Sequence, residues 1–317
     1  MRARGGVISL LLLLVGLALG LLAGGCGSEQ GGQLTVVVSI PPLESFVRAL
    51  IGSRAEVGAG VGMGVGVGVG EVEIVLLVPP GTTPHTFEPK PSDVQALARA
   101  RLLVLVGLGL EEPWAGELVR SAGNPELKVV ELAAGIEPIG DPPNPHVWLS
   151  PRRALTMVEN LKEALIEIDP AHRADYERNA RVYLKRLAEL DRLYREELEG
   201  LPDKRFIATR PTWVYLAQDY GLVQVEVIAG PPGEEPTPGR LRRIIQLIET
   251  EGVPLLIALV QAPERFAELI AEETGVRLVR LDPLGVEHSD YLELMRANLK
   301  KLVEGFRGRG EGSEGPG

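Results

Sequence analysis

Short runs of valine, leucine and isoleucine alternate with amphipathic stretches twice along this chain, and that rhythm constrains the fold more than any other feature. In the first half the runs are Leu34 to Ile40, Val72 to Val78, Leu102 to Val106 and Leu127 to Leu132. Between them, Leu43 to Ile51, Ser92 to Arg101 and Glu112 to Ser121 carry apolar residues at helical spacing. Strands that are apolar on both faces belong to a parallel sheet covered by helices on each side. Ser92, followed by Asp93, reads as the N-cap of its helix. The rhythm returns with strands at Arg205 to Thr209, Val223 to Ile228, Leu255 to Val260 and Val276 to Leu281. Helices at Trp213 to Tyr220, Thr237 to Thr250, Pro263 to Thr274 and Tyr291 to Phe306 accompany them. The predicted fold class is α/β, with two lobes of parallel sheet flanked by helices.

A helical region from Pro151 to Leu201 separates the two blocks and predicts a long rigid linker. Tyr176, Ala180, Tyr183, Leu187, Leu190 and Tyr194 form one apolar stripe along it, and its other faces are dense in Arg, Glu and Asp. A stripe of this kind packs against both lobes of one chain or pairs two chains as a coiled coil. The first is the simpler solution and predicts a monomer. The domain plan is a lobe over 34–150, linker helices over 151–201 and a second lobe over 202–306. Ligands of parallel sheets sit at the C-terminal ends of strands. His85, His146, Arg210 and Asp282 all fall just after a strand or at the start of a helical region, facing an expected interlobe cleft.

The ends and one insertion stand outside this plan. Arg2 and Arg4, an apolar run from Val7 to Ala23 and then Gly24-Gly25-Cys26 read as a secretory signal over 1–25. Cys26, the only cysteine, matches a lipoprotein acceptor that would be acylated after cleavage. Ala23 stands where leucine is usual, which keeps an ordinary signal or an uncleaved anchor as the competing reading. Residues 26–33 would be a lipid-anchored tether, and 307–317, rich in Gly and Glu, a disordered tail. The Gly/Val repeat within 58–71 reads as a flexible insertion, with a β-prone sticky loop as the alternative. One cysteine excludes a disulfide framework and a thiolate metal site. The formal charge is −10, and loss of Arg2 and Arg4 would make the chain more acidic still. That balance argues against nucleic acid as a partner.

Two of the four histidines follow proline, in Pro84-His85-Thr86-Phe87-Glu88-Pro89 and Asn144-Pro145-His146-Val147-Trp148. Proline fixes φ and biases its predecessor toward extended backbone, so each imidazole loses little freedom on meeting a ligand. Two rigid histidine loops in a histidine-poor chain suggest a metal site. Imidazole suits zinc and also manganese, and a carboxylate suits both.

At this point the chain resembles a known family, the zinc and manganese solute-binding proteins of bacterial ABC importers. The resemblance covers about Leu34 to Glu304. It is carried by LVPPGTTPHTFEPKPSD at 77–93, NPHVWLSP at 144–151, YLAQDYGL at 215–222, AEETGVRLVRLDPLG at 271–285 and YLELMRANL at 291–299. It implies two α/β lobes, a helical linker and a cation held between the lobes. It also implies delivery to a membrane permease driven by an ATPase, outside the cytoplasm, lipid-anchored to the cell membrane or periplasmic. Carried over residue by residue, His85, His146 and Asp282 match three of its metal ligands. The remaining ligand, a His or Glu five residues before an aromatic, falls on Arg210, with Tyr215 as the aromatic. Arginine has no lone pair to donate and carries a permanent positive charge. It cannot ligate a cation, and near Asp282 it would tend to pair with that carboxylate. Ser150 stands where the family often has Asp, and Gln261 where it often has Glu. Glu234, Glu235 and His288 are the candidate substitute ligands, whereas His172 reads as a surface residue.

The main reading is therefore a receptor for zinc, then manganese, as transported ligand. Arg210 sustains a second, a binder of an anion or a metal chelate. Two others rank lower: a partner-binding or adhesive lipoprotein, and a zinc enzyme, for which no HExxH helix or Ser/His/Asp arrangement is present.

Overall fold

The computed structural model describes residues 33–57, 72–230, 235–261 and 265–308. The leader with Cys26, the Gly/Val insertion over 58–71, Glu234 and residues 309–317 lie outside the described residues. Among the described residues, no helix is long and apolar enough to cross a membrane.

The first sheet comprises β1 (Leu34–Val38), β2 (Ala55–Val57), β3 (Val72–Leu76), β4 (Leu102–Leu105) and β5 (Lys128–Glu131) in the order β2-β3-β1-β4-β5. Every described pairing in it is parallel. Helices α1 (Pro41–Ile51), α2 (Pro91–Arg99) and α3 (Ala115–Ala122) connect its strands. Val36 to Val38 and Leu102 to Val104 are wholly buried, as a sheet covered on both faces requires. The three-residue strand β2 escapes sequence reading because it is too short to show a period.

Helix α2 begins one residue before the predicted cap. Lys90, not Ser92, is the N-cap, and Pro91 occupies the first helical position. The reason is local. Proline has no N–H to lose there and its φ is already helical. Asp93 then accepts the Lys90 N–H at 2.7 Å from inside the first turn.

The linker is two helices, α4 (Pro151–Ile168) and α5 (Arg173–Glu199), packed on each other across the turn Pro170–His172. The predicted stripe on α5 is buried along its length. It meets both lobes: Tyr183 packs edge-on to Phe46 of α1, and Tyr194 Oη donates to the Met295 carbonyl at 2.6 Å. His172, expected as a plain surface residue, hydrogen-bonds Asp169 through Nδ1 at 2.8 Å. Arg54 and Tyr176 converge on the same carboxylate.

The second sheet comprises β6 (Arg205–Ala208), β7 (Val223–Val227), β8 (Leu255–Leu259) and β9 (Arg277–Leu281), in the order β7-β6-β8-β9, again parallel. Its helices are α6 (Val214–Tyr220), α7 (Pro238–Glu251), α8 (Arg265–Thr274) and α9 (Tyr291–Arg307). Helix α9 also reaches the first lobe, where the Tyr291 N–H donates to Ser45 Oγ at 2.9 Å. One hydrophobic core runs from β1 through α4 and α5 to Phe206, Tyr215 and Met295, with a smaller core on α7 and α8.

Candidate metal site between the lobes

A cleft of about 1530 Å³ opens where the C-terminal ends of both sheets face each other. Its floor is built from loops that the sequence makes stiff. The loop after β3 ends in a short turn, Pro84–Thr86, carrying His85. Trp114 pins it from α3: its Nε1 donates to the Pro84 carbonyl at 3.0 Å, and its ring meets Phe87 edge-on. His146 precedes a second short turn, Val147–Leu149. Trp148 fixes that turn to the opposite lobe by donating to the Pro283 carbonyl at 2.8 Å.

These loops bring the two imidazoles together, with His85 Nε2 and His146 Nε2 3.4 Å apart. Burial lowers the pKa of His85. Burial, and then the charge on His85, push His146 down to about 3. Both rings are therefore neutral near pH 7, and each keeps a lone pair to offer a cation. Asn144 Oδ1 lies 3.0 Å from His146 Nδ1.

Asp282 is placed differently. It is wholly buried behind the cleft wall formed by Pro283 and Leu284. Its Oδ1 accepts from Gln261 Nε2 at 2.7 Å and from the N–H groups of Leu284 and Gly285 at 2.9 Å. Among the described residues its Oδ2 accepts only the Glu287 N–H, at 3.0 Å, and it retains accepting capacity. Among the described residues, no three His, Cys, Asp or Glu side chains gather closely enough to hold a metal. The set expected from sequence is thus split in this conformation: two histidines together, and an aspartate whose carboxylate closes its own turn.

Arg210 lines the cleft, and its Nη1 donates to the Gly230 carbonyl at 2.6 Å. The expected pairing with Asp282 is absent among the described residues. Gln261 holds that carboxylate instead, and its amide N–H explains why a glutamine serves there: a glutamate would offer a second negative charge and no donor. The described substitute ligands do not come to the site. Glu235 is exposed and paired with Arg265 at 3.1 Å. His288 follows the turn that closes on Asp282 and is not part of the cleft lining. Sequence reasoning also passed over Glu111, a buried residue of the cleft lining. Its carboxylate accepts from Ser39 Oγ at 2.7 Å and from the Val106 and Gly107 N–H groups, tying the end of β1 to the turn after β4.

Residues 36–305 match the family described as zinc-uptake complex component A, periplasmic (ZnuA). The chain belongs to that family. It is a family of substrate-binding proteins of metal importers, and its members are not enzymes. Among relatives, the manganese-binding lipoprotein MntA of Halalkalibacterium halodurans is 28% identical over 308 residues, covering 92% of this chain and 96% of that protein. The zinc-binding protein AdcA of Streptococcus pyogenes is 26% identical over 86% of this chain, which spans only 56% of AdcA. Among solved structures, a ZnuA crystal structure superposes with a TM-score of 0.74 at 32% identity, covering 86% of this chain and 98% of that one. The binding protein FpvC of Pseudomonas aeruginosa with Ni2+ superposes with the same TM-score at 27% identity, covering 88% and 99%. These two solved structures share the fold described above.

Proposed function

We propose that this chain captures a divalent transition-metal ion, zinc before manganese, in the interlobe cleft and passes it to an ABC permease with its ATPase. The observation that carries the reading is the 3.4 Å separation of His85 Nε2 and His146 Nε2. Two nitrogens bound at 2.0–2.1 Å to a tetrahedral zinc lie about 3.3–3.4 Å apart. The neutral state of both rings removes proton competition near pH 7. Two imidazoles also favour zinc over manganese in the ordinary affinity order. On this reading His85 and His146 receive the ion, and Asp282 joins through Oδ2 when the lobes draw together. Arg210 leaves a positive charge beside the site and weakens it relative to a histidine at that position. Acylation at Cys26 would hold the receptor, as a monomer, at the outer face of the membrane.

Titration calorimetry of the metal-free protein with zinc and with manganese tests this. One zinc per chain, bound more tightly than manganese and lost on replacing either histidine by alanine, is the expected result. No heat with either metal would overturn it.

A further inference from the structure

We infer that Asn144 is the positioning residue of the metal site: it holds His146 in the Nδ1–H tautomer and couples that setting to the opposite lobe. The inference rests on the reading of His146 as a metal ligand, but its central observation does not need a metal.

Two groups with no freedom of role orient the Asn144 amide. The His146 backbone N–H can only donate, and it lies 3.0 Å from Asn144 Oδ1. The Pro211 carbonyl can only accept, and it lies 2.6 Å from Asn144 Nδ2. Together they fix which end of the amide is oxygen. That oxygen also faces His146 Nδ1 at 3.0 Å, so Nδ1 carries the proton and donates it. A neutral imidazole has one N–H, so Nε2 is left bare, and it is the nitrogen turned toward His85. In the metal-free protein His85 Nε2 is then the donor of the 3.4 Å contact and His146 Nε2 the acceptor.

The asparagine is itself held. Its backbone N–H donates to the Ile139 carbonyl at 2.7 Å, and its carbonyl accepts from Tyr215 Oη at 2.7 Å. Tyr215 belongs to α6, and Pro211 follows Arg210, so both partners come from the second lobe. A shift of the loop at 210–212 therefore acts on the His146 ring through one amide. Groups that orient a metal-ligating histidine from behind are worth about 10–100-fold in metal affinity.

The test uses the full chain labelled with 15N-histidine, with His146 assigned by comparison with His146→Gln. Long-range 1H–15N correlation spectra of the metal-free protein read the tautomer directly, and zinc titration reads affinity. Wild type is expected to show His146 as Nδ1–H. Asn144→Ala is expected to lose that tautomer and to bind zinc about 10–100-fold more weakly. Asn144→Asp keeps an acceptor oxygen beside Nδ1 but loses the donor to the Pro211 carbonyl, so it is expected to keep the tautomer and to recover only part of the affinity. An Nε2–H pattern in wild type, or an unchanged Nδ1–H pattern in Asn144→Ala, overturns the inference. Should Asn144→Ala fail to fold, loss of the Nδ1–H pattern in Asn144→Asp overturns it instead. A wild type with the Nδ1–H tautomer that binds no zinc would uphold the placement of Asn144 and sink the metal-receptor reading alone.

Discussion

At the scale of single residues, the site is a neutral histidine pair in a cleft that the charged Arg210 also lines. Ligand linkage sets the size of the response: zinc at about 100 times its dissociation constant stabilises the fold by about 2.7 kcal/mol. His85→Ala and His146→Ala should each abolish most of that gain, read as the zinc-induced rise in melting temperature. A full rise in both variants would place the ion elsewhere. Arg210→His removes the like charge and adds a donor nitrogen at the cleft lining. It should tighten zinc binding by about tenfold or more, since a metal–ligand bond replaces a repulsion. Unchanged or weaker affinity by calorimetry would mean that the Arg210 position does not face the ion.

Among elements, turns decide more than helices and strands do. Asp169 closes α4 and collects His172, Tyr176 and Arg54. Burial raises its pKa, but the hydrogen bonds from His172, Tyr176 and Arg54 outweigh burial and leave it below the ordinary carboxylate range. The unfolded chain therefore binds the proton first as the solution turns acidic. The stabilisation is whole above pH ~4 and is lost as pH falls through the lower folded-state value. Asp169→Asn should cost about 1–3 kcal/mol at pH 7 and much less at pH 3, by urea denaturation. Equal losses at both pH values would refute this account. The turn behind the site has its own constraint. Gly285 has φ +78° and donates to Asp282, and a Cβ there would lie 2.7 Å from the His288 carbonyl oxygen. Gly285→Ala should therefore destabilise by about 1–3 kcal/mol, through left-handed backbone and clash together. A neutral effect in thermal melts would show that the turn relaxes freely.

For the whole molecule, the continuous core makes the lobes one cooperative body. Tyr291 donates to Ser45 and to the Trp148 carbonyl, and Asp219 of α6 receives Ser150 and Arg153 of the linker. Calorimetric unfolding of the metal-free protein should show one transition with matching calorimetric and van't Hoff enthalpies. Two resolved transitions would mean that the lobes unfold separately despite the shared core.

The alternation of apolar runs and amphipathic stretches determined the architecture: which segments are strands, that the sheets are parallel, and that α5 lies buried along its tyrosine stripe. These follow from local composition and period, which a sequence displays. The two Pro-His loops were legible for the same reason, because proline restricts its own neighbourhood. The Asn-Pro-His spacing also held a sign of Asn144, since an asparagine oxygen commonly takes the N–H two residues on. Only the tertiary structure decided where the charges go. Asp282 turns into its own loop, Gln261 rather than Arg210 holds it, and His146 sits against His85 from 61 positions further along the chain. Each of those outcomes is a competition among donors and acceptors brought together by folding, and no local pattern in the chain records which of them wins.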